Sequence, residues 1–289
     1  MLNLARLFSK RLAILSTLSL LAFSCLLAQS HPLFQFSHFV LDDCVYREYL
    51  SSYDSLRDAG NLTYDDKSNE CNLDNKIYLP GCEFIFDYYY RKDGKNYKFD
   101  FSNQETGLAS CDYRLKNTIF NLSYKILKGN FVGQTQGWYG YYNAYDTIQN
   151  FEISGIIENK MNVWMHPPRS EMFKMLEIAP FPFVLFPLEV GTTWTDSLGI
   201  GDHYSDRRWA IWEGSIVNQT QRKITGKEIV STAFGKMLCY VVKSWSTSRV
   251  GTTSLTSYFN EKYGFVKMFY DNIDGSQLTL SLVSVKTSP

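Results

Sequence analysis

The sequence predicts an all-β protein, an antiparallel meander that curls into a half-barrel or barrel with minor helical segments. Three observations predict it. From about residue 76 onward, aromatic and β-branched runs alternate with short turn signals. Residues 212–285 divide into strand-like stretches separated by breaks of only a few residues. Helical periodicity is scarce, and no repeat marks a solenoid or propeller.

Residues 1–30 form an export signal. Arg6, Lys10 and Arg11 precede an uncharged apolar run over 12–28 that ends in small residues. The run is short for a permanent span, which needs about 20 apolar residues, so no membrane span is expected after cleavage. Two cleavage sites compete. Ala28-Gln29-Ser30 suits ordinary cleavage, whereas Leu21-Ala22-Phe23-Ser24-Cys25 resembles a bacterial lipobox and makes Cys25 the candidate lipidation site. Phe23 is bulky and Ala22 stands where Leu is usual, which favours ordinary cleavage. Either route takes the chain to the periplasm, outer membrane or surface of a bacterium.

Removing the signal leaves 26 basic against 29 acidic groups, a net of −3. A nucleic-acid binder needs a concentrated basic face, so nucleic acid is excluded as a partner, as is electrostatic attachment to anionic membranes. After loss of Cys25, Cys44, Cys71, Cys82, Cys111 and Cys239 remain. In an oxidising compartment two bridges and one thiol are the natural arithmetic. Cys71 and Cys82 flank a loop that closes readily, and Cys44 with Cys111 is the remaining N-terminal pairing. Cys239, in an apolar strand, reads as a buried thiol.

Residues 31–158 make an N-terminal aromatic hairpin region. A short helix fits 40–55. Runs at 84–90 and 97–101 flank Asp93-Gly94, a strong hairpin signal, and Tyr97, Phe99 and Phe101 alternate with polar residues as in a sheet packed on one face. A second hairpin is expected at 118–127, turning at Gly129-Asn130. The stretch 137–142, aromatic and Gly-rich, reads as more irregular than helical. Residues 159–200 are a Pro/Phe-rich connecting wrap. Five of the eight prolines fall within 164–187, and proline removes ladder donors, so this is expected to be ordered non-sheet chain. A helical turn fits 170–176 with Ser170 as cap. Residues 201–289 are the C-terminal meander, with strands expected at 212–220, 223–231, 237–246, 252–259, 265–270 and 277–285. Such short connections forbid parallel pairing. This meander either stands apart from 76–158 or is continuous with it.

Chemical motifs are sparse. No nucleophile elbow, zinc-protease helix or phosphate loop is present, and no catalytic residue, metal or cofactor is assigned. Asp66, Ser68, Glu70, Asn72 and Asp74 carry calcium-type oxygens without the loop glycine such sites need, and read as a solvated loop. Two groups of residues are candidates for ligand binding. Trp164, His166, Arg169, Phe181 and Phe183 belong to the Pro/Phe wrap, whose apolar residues either cap the core or form the lip of a site. His203, Arg207, Trp209 and Trp212 sit in a loop rich in charge and indole, which suits stacking of a ligand. His203 with Asp202 or Asp206 is the only acid–base pairing on offer for a hydrolase.

The segments 186–194 (FPLEVGTTW), 231–240 (STAFGKMLCY) and 258–267 (YFNEKYGFVK), in that order, resemble uncharacterised exported β-proteins and lipoproteins of the Bacteroidetes type, related to periplasmic half-barrels of the lipoprotein-carrier kind. The resemblance covers residues 160–289 and rests on turns and strand starts. It implies fold and compartment and transfers no catalytic residue. The expected function is that of an exported, non-enzymatic envelope protein that binds a lipid-like or other apolar ligand, or an envelope protein partner, on a curved sheet. The alternative is a structural or adhesion protein with a filled core.

Overall fold

The computed structural model describes residues 75–111, 117–131 and 134–287. The expected helix over 40–55, the calcium-type segment 66–74 and the residues Cys25, Cys44 and Cys71 lie outside them. The N-terminal region contributes strands β1 (Glu83–Lys92), β2 (Lys95–Phe99), β3 (Leu108–Ser110), β4 (Ile119–Phe131), β5 (Gln134–Asn143) and β6 (Ile148–Glu158). The wrap contributes β7 (Asn162–Met165), β8 (Phe183–Leu185) and β9 (Thr193–Ile200). The C-terminal meander supplies β10 (Ile216–Thr232), β11 (Gly235–Ser248), β12 (Gly251–Asn260), β13 (Gly264–Asp271) and β14 (Gln277–Lys286).

All of them join one antiparallel sheet in the order β8-β7-β6-β5-β4-β1-β14-β13-β12-β11-β10-β9, with β2 on β1 and β3 on β2. Two meanders, β4 to β8 and β9 to β14, are therefore stitched together by β1. That strand pairs with β14 from Glu83 to Arg91 and with β4 from Glu83 to Asp87. Beyond Asp87, β2 replaces β4 on the same edge. The β1–β2 turn is the Asp93-Gly94 pair, with φ of 50° and 75° at the two residues, the double positive φ that a two-residue hairpin needs.

Alternation sets the faces. On β1, Phe84, Phe86, Tyr88 and Tyr90 point inward and are buried, and Leu278, Leu280 and Leu282 do the same on β14. The sheet curls around these residues without closing, since the end strands β8 and β9 do not pair. Instead Phe183 of β8 packs edge-on against Trp194 of β9, ring centroids 5.8 Å apart.

Residues 166–182 enter the concave side and plug one end of it. They contain a 3-10 helix, Glu171–Ile178, whose Met172, Phe173, Met175, Leu176 and Ile178 are all buried. Phe173 is the centre of the packing: its ring lies 5.2 Å from Tyr88, 4.7 Å from Phe99 and 5.3 Å from Tyr141. Three different strands thus meet on one side chain.

Several expectations are corrected. The wrap is not wholly non-sheet; its prolines at 167, 168, 180, 182 and 187 fall in the irregular stretches 166–182 and 186–192, and the proline-free segments beside them form β7, β8 and β9. Residues 212–220 and 223–231 are not two strands. Gln221 and Arg222 stay in the ladder opposite Trp245 and Ser244, and the irregularity is a bulge between Ile224 and Gly226. The stretch 137–142 is regular β5, because Gly137 and Gly140 leave room for rings to lie across the backbone: a Cβ at Gly137 would meet Tyr124, and one at Gly140 would meet Trp138 and Tyr142. The second hairpin turns later than Gly129-Asn130, since both residues still belong to β4. Ser170 stands at the N-cap as expected, its carbonyl accepting the Phe173 N–H, but its hydroxyl makes no cap bond and donates to Glu152. Cys71, the partner expected for Cys82, lies outside the described residues, and among these no disulfide is formed. Cys82 is a free, buried thiol whose backbone is fixed by bonds to Leu79 and Ile126 at the entry to β1. Cys239 is a buried thiol, as expected, and burial pushes it up to about 11.

Replacing Phe173 by Ala is expected to destabilise the fold by about 3–5 kcal/mol. Ile229, 73% exposed, changed to Ala should cost less than about 0.5 kcal/mol. Urea-unfolding midpoints of the two variants check the contrast.

Candidate functional site

Four of the residues singled out from the sequence converge where the plug enters the half-barrel. Trp164, at the end of β7, packs 5.8 Å from His166 and 5.7 Å from Phe181, and His166 lies 4.7 Å from Phe181. Arg169 completes the group, its Nη1 donating to His166 Nε2 at 3.2 Å and its Nη2 to the Ile153 carbonyl at 2.9 Å. Trp164 and Phe181 are buried, while His166 and Arg169 reach the rim.

Two acids complete the cluster, and neither was singled out from the sequence. Glu152 accepts from the Arg169 backbone N–H at 2.8 Å, from the Tyr141 hydroxyl at 2.9 Å and from the Ser170 hydroxyl at 2.7 Å. It is the anchor on β6 that replaces the ladder where the chain leaves the sheet. Glu177 lies 3.3 Å from His166 Nε2 and is buried. Its position between Leu176 and Ile178 in an apolar run was the available signal, since an acid there must either be buried or break the packing.

Protonation follows from geometry. His166 Nδ1 faces the Pro167 carbonyl at 2.9 Å, an acceptor only, so Nδ1 carries the hydrogen. Nε2 faces the Arg169 guanidinium, a donor only, so it is the lone pair. Burial, reinforced by Arg169, lowers the imidazole to about 3. Burial pushes the Glu177 carboxyl up to about 8, with Arg169 opposing and Glu152 reinforcing the rise. The contact between His166 and Glu177 therefore joins two neutral groups at neutral pH and is not an ion pair. An imidazole whose free nitrogen is held against a guanidinium is poorly suited to take a proton from a substrate.

The remaining candidates lie elsewhere. Phe183 faces Trp194 and the Arg222 guanidinium, 5.3 Å from its ring. Trp209 and Trp212 are buried beneath the loop that carries the exposed His203 and Arg207, and Trp209 Nε1 donates to the Tyr204 carbonyl. Asp202 Oδ2 accepts from the Gly214 N–H, and Asp206 is paired with Arg208 at 2.7 Å. Neither acid orients His203, whose ring packs on Tyr204 at 4.1 Å. Among the described residues no cluster of His, Cys, Asp and Glu can hold a metal ion, and no helix is long and apolar enough to cross a membrane.

The end of the half-barrel opposite the plug is open. A cavity of about 430 Å³ lies there between the segment leading into β1, the β6–β7 turn, the chain after β8 and the β12–β13 turn. Ile77, Phe186 and Phe259 form its apolar floor, with Lys76, Lys160 and Glu261 at its rim. None of these residues was singled out from the sequence. They come from four separate places in the chain, and only the curl of the sheet assembles them.

No family model matches the chain, nor does any curated protein sequence. Solved structures similar to it include an inferred lipoprotein from Parabacteroides distasonis, 13% identical, covering 73% of this chain and 97% of that one with a TM-score of 0.43. An inferred exported protein with a YmcC-like fold from Bacteroides fragilis is also 13% identical and covers 73% of this chain and 98% of that one, at a TM-score of 0.38. A LolA-superfamily protein from Nitrosomonas europaea is 10% identical, covering 79% and 95% at a TM-score of 0.27. These are the kinds of protein that the motifs of the C-terminal half resemble.

The buried pair gives a pH signature. Glu177, raised from 4.5 to about 8, holds a proton in the folded state that the unfolded chain has lost, so it makes stability fall as pH rises through that window. His166, lowered from 6.5 to about 3, works in the opposite sense up to pH 6.5. Above that only the Glu177 effect remains. The wild type is expected to lose about 1–2 kcal/mol between pH 6.5 and 8, and Glu177→Gln to abolish most of that slope. Urea midpoints at the two pH values measure it.

Proposed function

We propose that the protein is an exported, non-enzymatic envelope protein that binds an apolar or amphipathic ligand at the open end of its half-barrel. The observation that carries this reading is the cavity over Ile77, Phe186 and Phe259. It is concave, apolar-floored and bounded by a few charged groups, the usual architecture of a small-ligand site, and its volume falls in the usual range of about 300–1,000 Å³. The basic n-region and apolar run of residues 1–30 support export. The neutral, arginine-blocked His166 and the unoriented His203 support a binding role over a hydrolytic one.

A second reading has its own support. The plugged end of the concave side is filled by the chain's own Phe173, Met175 and Leu176, as befits a structural or adhesion protein with a filled core.

Native and denaturing mass spectrometry of protein isolated gently from its own envelope separates the two. A signal-cleaved mass with a releasable adduct is expected; a signal-cleaved protein that carries nothing transfers the assignment to the structural reading. His203→Ala should leave both the adduct and the unfolding midpoint unchanged, whereas loss of a hydrolytic activity in that variant would overturn the non-enzymatic assignment.

A further inference from the structure

The charges around the open-end cavity are not equivalent. Glu158 belongs to its lining, yet its carboxylate is turned onto the chain. It accepts the backbone N–H groups of Lys76 at 2.8 Å, Ile77 at 3.0 Å and Tyr78 at 2.9 Å, and the residue is 5% exposed. Three backbone donors occupy its oxygens, so it keeps its charge but has little hydrogen-bonding capacity left to offer a ligand. The same contacts fix the wall: they clamp the segment carrying Lys76 against the end of β6, two residues before Lys160. Both lysines therefore stand on one side of the cavity. Both are exposed, and among the described residues neither forms an ion pair.

The other side differs. Phe259 is fully buried at the end of β12, with its ring 5.2 Å from Phe265 and 6.3 Å from Phe186. Glu261, one turn on, is the single exposed carboxylate of the lining. The cavity thus has an aromatic floor, two ammonium groups along one wall and one carboxylate opposite.

We propose that this cavity takes a single-chain amphiphile with a negatively charged head, a carboxylate or a phosphate monoester. Its apolar chain lies over Phe186 and Phe259, and its head sits against Lys76 and Lys160. This deepens the ligand-binding reading above and rests on it. A purely apolar ligand would leave both ammonium groups unused at the mouth, and a cationic head would meet them as like charges. An anionic head is the one whose charge complements the wall while its tail is removed from water over the floor.

Equilibrium dialysis of the mature protein, stripped of copurified lipid, with myristic acid, myristyl phosphate, myristyl alcohol and myristylamine below their aggregation thresholds tests this. The acid and the phosphate are expected to bind about tenfold more tightly than the alcohol, and the amine most weakly. Each of Lys76→Gln and Lys160→Gln should weaken the acid about fivefold and leave the alcohol unchanged. Added salt should act on the acid alone. Because both lysines are exposed, near-UV circular dichroism should show the variants folded. Acid and alcohol binding alike, or lysine variants that weaken both equally, would overturn the anionic head while sparing the apolar-ligand reading. No binding of any probe would overturn both, and tightest binding of the amine would reverse the sign.

Discussion

The rest of this structure depends on how residues 166–182 satisfy their backbone in a dry interior. Proline denies that segment a ladder, yet it lies inside a curled sheet where an unpaired carbonyl is costly. The sheet answers with inward-pointing polar side chains. Asn218 of β10 and Thr253 of β12 both donate to the Ile178 carbonyl, each at 3.0 Å. Arg222 of β10 donates to the Phe181 carbonyl at 2.5 Å and is itself neutralised by Asp196 of β9 at 3.0 Å. Glu152 of β6 receives the Arg169 N–H at the point of entry. An apolar plug is thus held by a polar frame, and the frame explains why β10 carries Asn218 and Arg222 on its inner face.

That arrangement also accounts for the muted chemistry of the most titratable part of the molecule. His166, Glu177, Glu152 and Arg169 have the composition of an acid–base site. Arg169 is spent on His166 and a backbone carbonyl, Glu152 on Tyr141, Ser170 and a backbone N–H, and burial drives the imidazole and the Glu177 carboxyl to their uncharged forms. They lock the plug's first turn in place. A cavity lies at the other end of the half-barrel, among side chains with exposed charges and an aromatic floor.

The legible part of the fold was whatever local rules govern. The strand runs that become β1 and β14, the Asp93-Gly94 turn and the short connections after residue 232 were read directly, because a β-rich run and a two-residue loop are properties of neighbouring residues. Misreadings arose where tertiary context reverses the local rule. Arg222 looks like a turn residue until the carbonyl of Phe181 gives it a buried partner. Val217 and Ile229 face solvent while Asn218 and Thr220 face in, so β10 inverts the expected pattern. At the plug entrance Trp164, His166, Arg169 and Phe181 were found together, since they are close in sequence. The open-end cavity was invisible, because Ile77, Glu158, Phe186 and Phe259 are distant in the chain and none carries a motif.

The central position of β1 has a consequence for how such a chain assembles. It is the first strand to be synthesised among those described and the one that joins the two meanders, yet its longest pairing is with β14, the last. Some 200 residues separate the partners Phe84 and Val285, so the loop between them must be ordered before that pairing rewards it. A chain delivered from its N-terminus cannot finish the seam until its C-terminus arrives. Completion of the sheet is deferred to the end of delivery, and a chain that lacked β14 would keep β1 on β4 and β2 but leave the strands β9 to β13 without a link to it.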